Sequence, residues 1–272
     1  MEQTRVSAGG RVLAVVVWLI AVAVVALGAR RWLPPLASAH GAGIDRMLIF
    51  TMFSVGGLIM VGHLALGYFL WRFGRQPRAS SHALDFKTEL KWALAAVFVM
   101  AVIAEGGVIV LGLPVWSQVF GQAAPPDALT VEVTTEQFAW NVRYAGPDGQ
   151  FGRTDPKLIT LENVLGRDPA DAAGKDDIVD INTIRVVVNR PVKVRLKSKD
   201  VLHSFFLPFL RVKQDVVPGM TIEVWFTPTQ TGVFELACAE LCGLGHHRMR
   251  SYLEVLEPAE FEDRLKQYAA NR

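Results

Sequence analysis

The stretch from Glu235 to Met249, ELACAELCGLGHHRM, holds both cysteines of the chain, two adjacent histidines and a methionine. Two thiols, an imidazole and a thioether at this density suit a disulfide, a zinc knuckle or a copper centre. A Cys238–Cys242 disulfide would fit an oxidising compartment, but it leaves the histidines and the methionine without a role, and so short a loop adds little stability. Structural zinc takes four Cys or His ligands and has no use for a thioether. Copper takes thiolate, thioether and imidazole together. A mononuclear blue site needs one thiolate, two imidazoles and a weak axial Met, which leaves one cysteine surplus. Two thiolates four residues apart can instead bridge two copper ions, each completed by one imidazole and one weak ligand. The second imidazole must then come from elsewhere, and KDVLHSFFLP offers His203 on a neighbouring strand.

Such a site has to be carried by something, and the composition points to a composite chain. Of its 272 residues 51% are hydrophobic and 20% charged, and its mean hydropathy is +0.29. That is too apolar for an ordinary soluble enzyme and too charged for a pure membrane bundle. The residues up to Pro126 carry 10 Lys and Arg against 5 Asp and Glu, out of 28 and 26 in the whole chain. Two cysteines are too few for a disulfide-stapled scaffold. No basic run with interleaved aromatics points to nucleic acid.

Three segments are apolar enough to cross a bilayer: Val12–Gly28, Met47–Trp71 and Trp92–Val115. The loop between the second and third carries Arg72, Arg75, Arg78, Lys87 and Lys91 against Asp85 and Glu89, which places it on the inner side by the positive-inside rule. Everything after Gly121 then lies outside, and the N-terminus, with Arg5 and Arg11, lies inside. A basic start, an apolar core and ASA at Ala37–Ala39 also describe a cleavable signal peptide. Arg30, Arg31, Trp32, Pro34 and Pro35 make the gap before that motif too long and too charged, so the first span is expected to stay. Glu105, about 20 Å into span three, and His63, eight residues from the inner end of span two, are the ionisable residues at membrane depth. For both, a protonated or partnered side chain facing another subunit is favoured over proton transfer.

From Leu129 the pattern turns to period two in LTVEVTTEQ, TIRVVVN, VKVRLKS, TIEVWFTP and SYLEVLE, the signature of an all-β sandwich or barrel. Residues 145–178 are rich in Gly, Asp, Pro and Ala and read as a surface insertion with one short ordered piece near LITLENVL. After Pro258, AEFEDRLKQYAA reads as an amphipathic helix. The expected organisation is a membrane segment with linker at 1–46, a helical hairpin at 47–120 and an outer domain at 121–272.

CAELCGLGHHRM resembles the binuclear copper A motif, Cys-x-Glu-x-Cys-Gly-x-x-His-x-x-Met, of subunit II of cytochrome c oxidases in the haem-copper oxidase superfamily, and DVLHSF resembles that family's first ligand segment. The resemblance runs from about Met47 to the C-terminus and implies a cupredoxin-like sandwich behind the transmembrane helices. It makes Cys238 and Cys242 the bridging thiolates, pairs His203 with Met249 on one copper, and pairs His246 with the Glu240 carbonyl on the other. It also implies a magnesium or manganese ion at the Glu240 side chain, an acidic neighbour of the first histidine at Asp200, and a proton-channel mouth at Glu89. His247 is left as a bystander. The implied partners are subunit I, which holds haem and reduces oxygen, subunit III, and cytochrome c or an equivalent carrier.

One departure stands out. The family commonly shows Gln-Trp-x-Trp on an early strand, its first Trp being the surface aromatic for electron entry. QFAW keeps the Gln at Gln137 and, of the two Trp positions, only Trp140, with Phe138 in place of the first, so the donor or its docking geometry is expected to differ. A copper A nitric oxide reductase would share all of these features, and a membrane-anchored copper chaperone is the non-enzyme reading. Quinol oxidase subunits lack the cysteines. Nitrous oxide reductase typically has Trp at the position of Glu240.

Overall fold

The computed structural model describes residues 3–28, 33–74 and 85–270. Arg30, Arg31, Arg75 and Arg78, on which the topology reading leans, lie outside them. The chain divides into two compact units, Met1–Leu33 with Gly43–Pro114, and Pro34–Ala42 with Val115–Arg272.

The first unit is helical: α1 (Gln3–Gly28), α2 (Gly41–Phe73), and α3 (Phe86–Val99), which runs through a π-helical turn Met100–Glu105 into α4 (Gly106–Trp116). Three stretches are long and apolar enough to cross a membrane, Gly9–Gly28, Gly41–Phe73 and Phe86–Gly121. The second and third outrun the windows read from sequence, because hydropathy marks hydrocarbon depth and the polar flanks are helical as well. Small residues set the helix contacts. A Cβ on Gly67 would fall 2.1 Å from Trp18 Nε1, and one on Gly107 would fall 2.1 Å from the Phe50 ring. Trp18 stacks on Trp71 at 6.0 Å, and the Arg11 guanidinium covers that same ring at 5.0 Å. Much of the remaining helix surface is exposed Val, Leu, Ile and Phe, as lipid contact requires. His63 Nδ1 lies 2.8 Å from the Ile59 carbonyl of its own helix. Glu105 closes the π-helical turn with its side chain exposed, and Glu89 is exposed in the first turn of α3.

The second unit is a sandwich of ten strands: β1 (Leu129–Glu136), β2 (Ala139–Tyr144), β3 (Ile178–Ile181), β4 (Thr183–Val187), β5 (Val192–Ser198), β6 (His203–Leu207), β7 (Val212–Val216), β8 (Ile222–Phe226), β9 (Gly232–Cys238) and β10 (Arg250–Leu256). One sheet has the order β3-β2-β1-β5-β8 and the other β4-β10-β9-β6-β7. β1 runs parallel to β5 and β4 to β10, while the other pairs are antiparallel. Alternation builds the core: Val192, Val194 and Leu196 of β5 are fully buried, while Lys193, Arg195 and Lys197 point away. Trp140 from one sheet meets Phe205 from the other edge-on at 5.9 Å. The terminal helix α5 (Pro258–Ala270) lays Phe261 against Tyr144.

The insertion covers the outer face of the first sheet. Its Phe151 ring lies 5.0 Å from the Arg143 guanidinium and 5.9 Å from that of Arg195. Arg143 donates to the Gly152 carbonyl at 2.9 Å and to Asp177 at 3.1 Å, and it pairs with Glu132. LITLENVL is a turn closed by the Asn163 amide, which donates to the carbonyls of Leu158 and Arg167.

Residues 34–42 also belong to this unit. Ala37 is fully buried; its N–H donates to the Phe209 carbonyl at 2.8 Å, and its own carbonyl accepts from Thr229 at 2.9 Å. Ser38 Oγ donates to Leu210 at 2.6 Å. The ASA motif is thus laced into the sandwich.

Candidate metal centre

Three adjacent strands bring the ligand types together. β9 ends at Cys238, β10 begins at Arg250, and the loop between them carries Cys242, His246 and Met249. β6 lies on the other side of β9 with Phe205 opposite Cys238, which sets His203 beside the cysteine. The loop is closed at its base by Cys238 N–H on the Met249 carbonyl at 3.2 Å, and at its far end by a 3-10 turn over His246–Arg248. Gly243 sits at φ +132°, a conformation that side chains rarely tolerate, and so lets the loop double back.

The two sulfurs lie 3.8 Å apart and both are free, too far for a bond that needs about 2.05 Å. His203 Nδ1 stands 3.9 Å from Cys238 Sγ and His246 Nδ1 3.6 Å from Cys242 Sγ. Met249 Sδ is 3.8 Å from Cys242 Sγ, and the Glu240 carbonyl oxygen is 3.2 Å from Cys238 Sγ. Ligand atoms of His203, Cys238 and Cys242 all fall within 4.8 Å of one another. His203, Cys238, Cys242 and Met249 are buried, and His246 is half-buried. The neighbouring His247 is exposed, and among the described residues its ring has no partner.

The electrostatics match a cation-binding pocket. Burial raises the Cys238 thiol, but hydrogen bonds with His203 and with backbone at Glu240 and Ser204 outweigh it, holding Cys238 down to about 6. Burial and the charge on Cys238 push Cys242 up to about 11. Without a metal, one thiolate therefore suppresses the other, and a bound cation removes that repulsion. Burial would lower His203, yet its contacts with Cys238 and Asp200 raise it.

Asp200 Oδ1 is 2.9 Å from His203 Nε2, so the ring's other nitrogen faces the sulfur. Phe138 is 37% exposed, and its ring lies against the loop: a Cβ on Gly245 would fall 2.4 Å from it. Trp140 is fully buried in the core. Gln137 opens QFAW and matches the Gln of that family motif, but no ligand chemistry attaches to an amide, so nothing in the sequence reading gave it a role. Its side chain nevertheless reaches the site and donates to the Cys242 carbonyl at 2.6 Å. The Glu240 carboxylate makes no hydrogen bond or ion pair among the described residues. Glu89, Glu105 and His63 belong to the helical unit.

Comparison with known proteins agrees with this architecture. Residues 129–256 match the family described as cytochrome c oxidase subunit II, periplasmic domain. The alternative cytochrome c oxidase subunit 2 of Bradyrhizobium diazoefficiens is 35% identical over 240 residues, covering 87% of this chain and 83% of that protein. The cytochrome c oxidase subunit 2 of Cereibacter sphaeroides is 27% identical over 254 residues, 86% and 78% of the two chains. A crystal structure of the periplasmic domain of subunit II of cytochrome oxidase from Bradyrhizobium japonicum aligns with TM-score 0.41 and 31% identity, over 55% of this chain and 99% of that one. The three apolar helices anchor the chain to a membrane, and the sandwich is its external domain. With the family match falling on the sandwich and the first relative spanning the helices as well, this chain belongs to the cytochrome c oxidase subunit II family.

Proposed function

We propose that the chain is the electron-entry subunit of a respiratory haem-copper oxidase in a bacterial inner membrane, with its sandwich on the periplasmic face binding a binuclear copper A centre. The observation that carries this reading is the pair of free, buried sulfurs 3.8 Å apart, flanked by two imidazoles and a thioether. That donor set fits copper and nothing harder. Cys238 and Cys242 would supply the shared thiolates, His203 and Met249 would complete the ligands of one copper, and His246 and the Glu240 carbonyl those of the other. When bound, the copper pair takes up and releases one electron at a time.

The remaining chemistry is done by residues of this chain. Burial of Cys238, Cys242 and Met249 keeps water off the sulfurs. Asp200 fixes which nitrogen of His203 faces them. Phe138 presents the half-exposed aromatic face through which a cytochrome c or equivalent carrier makes contact, and it offers a π surface without an indole donor. The Glu240 carboxylate, which makes no hydrogen bond or ion pair among the described residues, would help hold magnesium or manganese against subunit I, which takes the electrons to haem and reduces oxygen. Subunit III completes the expected assembly, and Glu89 is assigned to the mouth of a proton path into subunit I.

The test is copper content and spectrum of the purified chain or complex. The expected result is about two coppers per chain, a purple chromophore, and an electron paramagnetic resonance signal of one unpaired electron shared by both ions. One copper with a blue-site spectrum would refute the reading.

A further inference from the structure

Gln137 lies in the turn between β1 and β2, outside both ligand segments, yet it touches the site twice. Its Nε2 donates to the Cys242 carbonyl at 2.6 Å. Its backbone N–H donates to Asp200 Oδ2 at 2.6 Å, and the other oxygen of that carboxylate is 2.9 Å from His203 Nε2. One residue thus ties the loop bearing one sulfur to the carboxylate that orients the imidazole beside the other. The backbone around it is shaped for this reach: a Cβ on Gly243 would lie 2.6 Å from Gln137 Nε2 and 3.3 Å from the Phe138 ring. Any side chain at 243 would displace the amide.

We propose that Gln137 is a positioning residue that clamps the Cys242–Gly243 peptide and thereby sets the redox potential of the bound metal pair. The inference rests on the copper reading above. Two consequences follow from the chemistry. Gln137 is exposed, but its amide reaches a part-buried contact and points the positive end of its N–H dipole at the carbonyl of a ligand residue, where such a dipole favours the electron-rich, reduced form. It also fixes the peptide from which the Cys242 side chain leaves, and so the direction of that sulfur toward Cys238. Removing the donor frees this peptide to rotate and withdraws the favourable dipole, so the potential falls. Phe138 follows Gln137 directly and packs on the same glycines, so the clamp also holds the aromatic face in register with the loop.

The experiment is a spectroelectrochemical redox titration of the copper-loaded oxidase complex, comparing the parent with Gln137→Met and Gln137→Lys. Methionine keeps length and loses the donor, whereas lysine keeps a donor within reach of the carbonyl. The expected result is a lower midpoint potential in Q137M with two coppers and the shared-electron signal retained, and a potential at or above the parent's in Q137K. If Q137M fails to assemble a two-copper site, assembly in Q137K supports the clamp and failure in both overturns it. An unchanged potential in Q137M with an intact site also overturns it. A parent complex without two coppers would instead sink the functional reading, so the two failures are told apart.

Discussion

Asp200 Oδ1 sits 2.9 Å from His203 Nε2 while His203 Nδ1 faces Cys238 Sγ at 3.9 Å, so a single carboxylate decides which nitrogen of a buried imidazole is free to bind. With Nε2–H given to Asp200, the Nδ1 lone pair would be left for the proposed metal. Asp200→Ala is expected to weaken copper binding about 10- to 100-fold, the usual effect of losing such an outer partner. Asp200→Asn keeps an acceptor oxygen and should retain most of the affinity. Competition against a chelator of known copper affinity measures both. Equal losses in the two variants would mean that charge matters here rather than ring orientation.

The metal-free site should titrate in two widely separated steps. Cys238 is held down to about 6 and Cys242 is pushed up to about 11, so one thiolate forms near pH 6 and the second only in strong base. For Cys238, depressed relative to an ordinary thiol, the folded form gains stability above the usual thiol range and loses it as pH falls through about 6. For Cys242 the sign reverses, and stability is lost as pH rises toward about 11. Thiolate absorbance in the ultraviolet measures this on the metal-free chain. Cys238→Ser should abolish the step near 6 and, by removing the charge on its neighbour, bring the remaining thiol down. Two overlapping steps at the ordinary thiol value would contradict the geometry.

His246 and His247 are adjacent in sequence and differ in what they can reach. His246 Nδ1 is 3.6 Å from Cys242 Sγ, while His247 is exposed at the surface. His246→Ala is expected to destroy the shared-electron signal, and His247→Ala should leave both the signal and the copper content at parent levels. Electron paramagnetic resonance of the two copper-loaded variants decides this. Loss of the signal in H247A would reassign the ligand.

The candidate ligand types are legible because soft-metal chemistry restricts them to a few residues, and the spacing in CAELCGLGHHRM brings most of them within one loop. The strands that read clearly, such as β5, are those with one dry and one wet face. β2 was not legible as a strand, because Trp140 to Tyr144 are buried throughout, the insertion covering the side that alternation would mark as polar. Gln137 and Ala37 stand out in the sequence only as members of QFAW and ASA, which do not disclose what they touch. The importance of each comes from hydrogen bonds to residues far along the chain, Cys242 for one and Phe209 and Thr229 for the other, and spacing is blind to those. Trp140, which stands in the position of a family aromatic, is core, so exposure rather than residue type picks out Phe138 as the face open to solvent.

The insertion is fastened by one buried cation, which makes its anchoring testable through pH. Arg143 Nη1 donates to Asp177 Oδ2 at 3.1 Å, and Arg143 Nε donates to Glu132 at 3.0 Å. Glu132 has a second cation in Lys197 at 3.3 Å, whereas Asp177 is fully buried and its remaining oxygen has no partner. Burial raises the Asp177 carboxyl above its ordinary value, and Arg143 opposes the rise. Arg143→Met therefore leaves the Asp177 carboxylate with the Gly152 N–H at 3.1 Å but without its paired cation, and leaving one member of a buried ion pair alone costs up to about 3–5 kcal/mol. A carboxyl whose folded value is raised contributes stability below its unfolded value and loses it as pH climbs through the folded one. The deficit of R143M against the parent should accordingly be small in mild acid, where Asp177 takes a proton, and grow toward neutrality. Adding Asp177→Asn should recover much of the loss at neutral pH. Thermal unfolding of the detergent-solubilised chain across that range measures it, and a deficit that stays constant with pH would show that packing around Phe151, rather than charge, holds the insertion down.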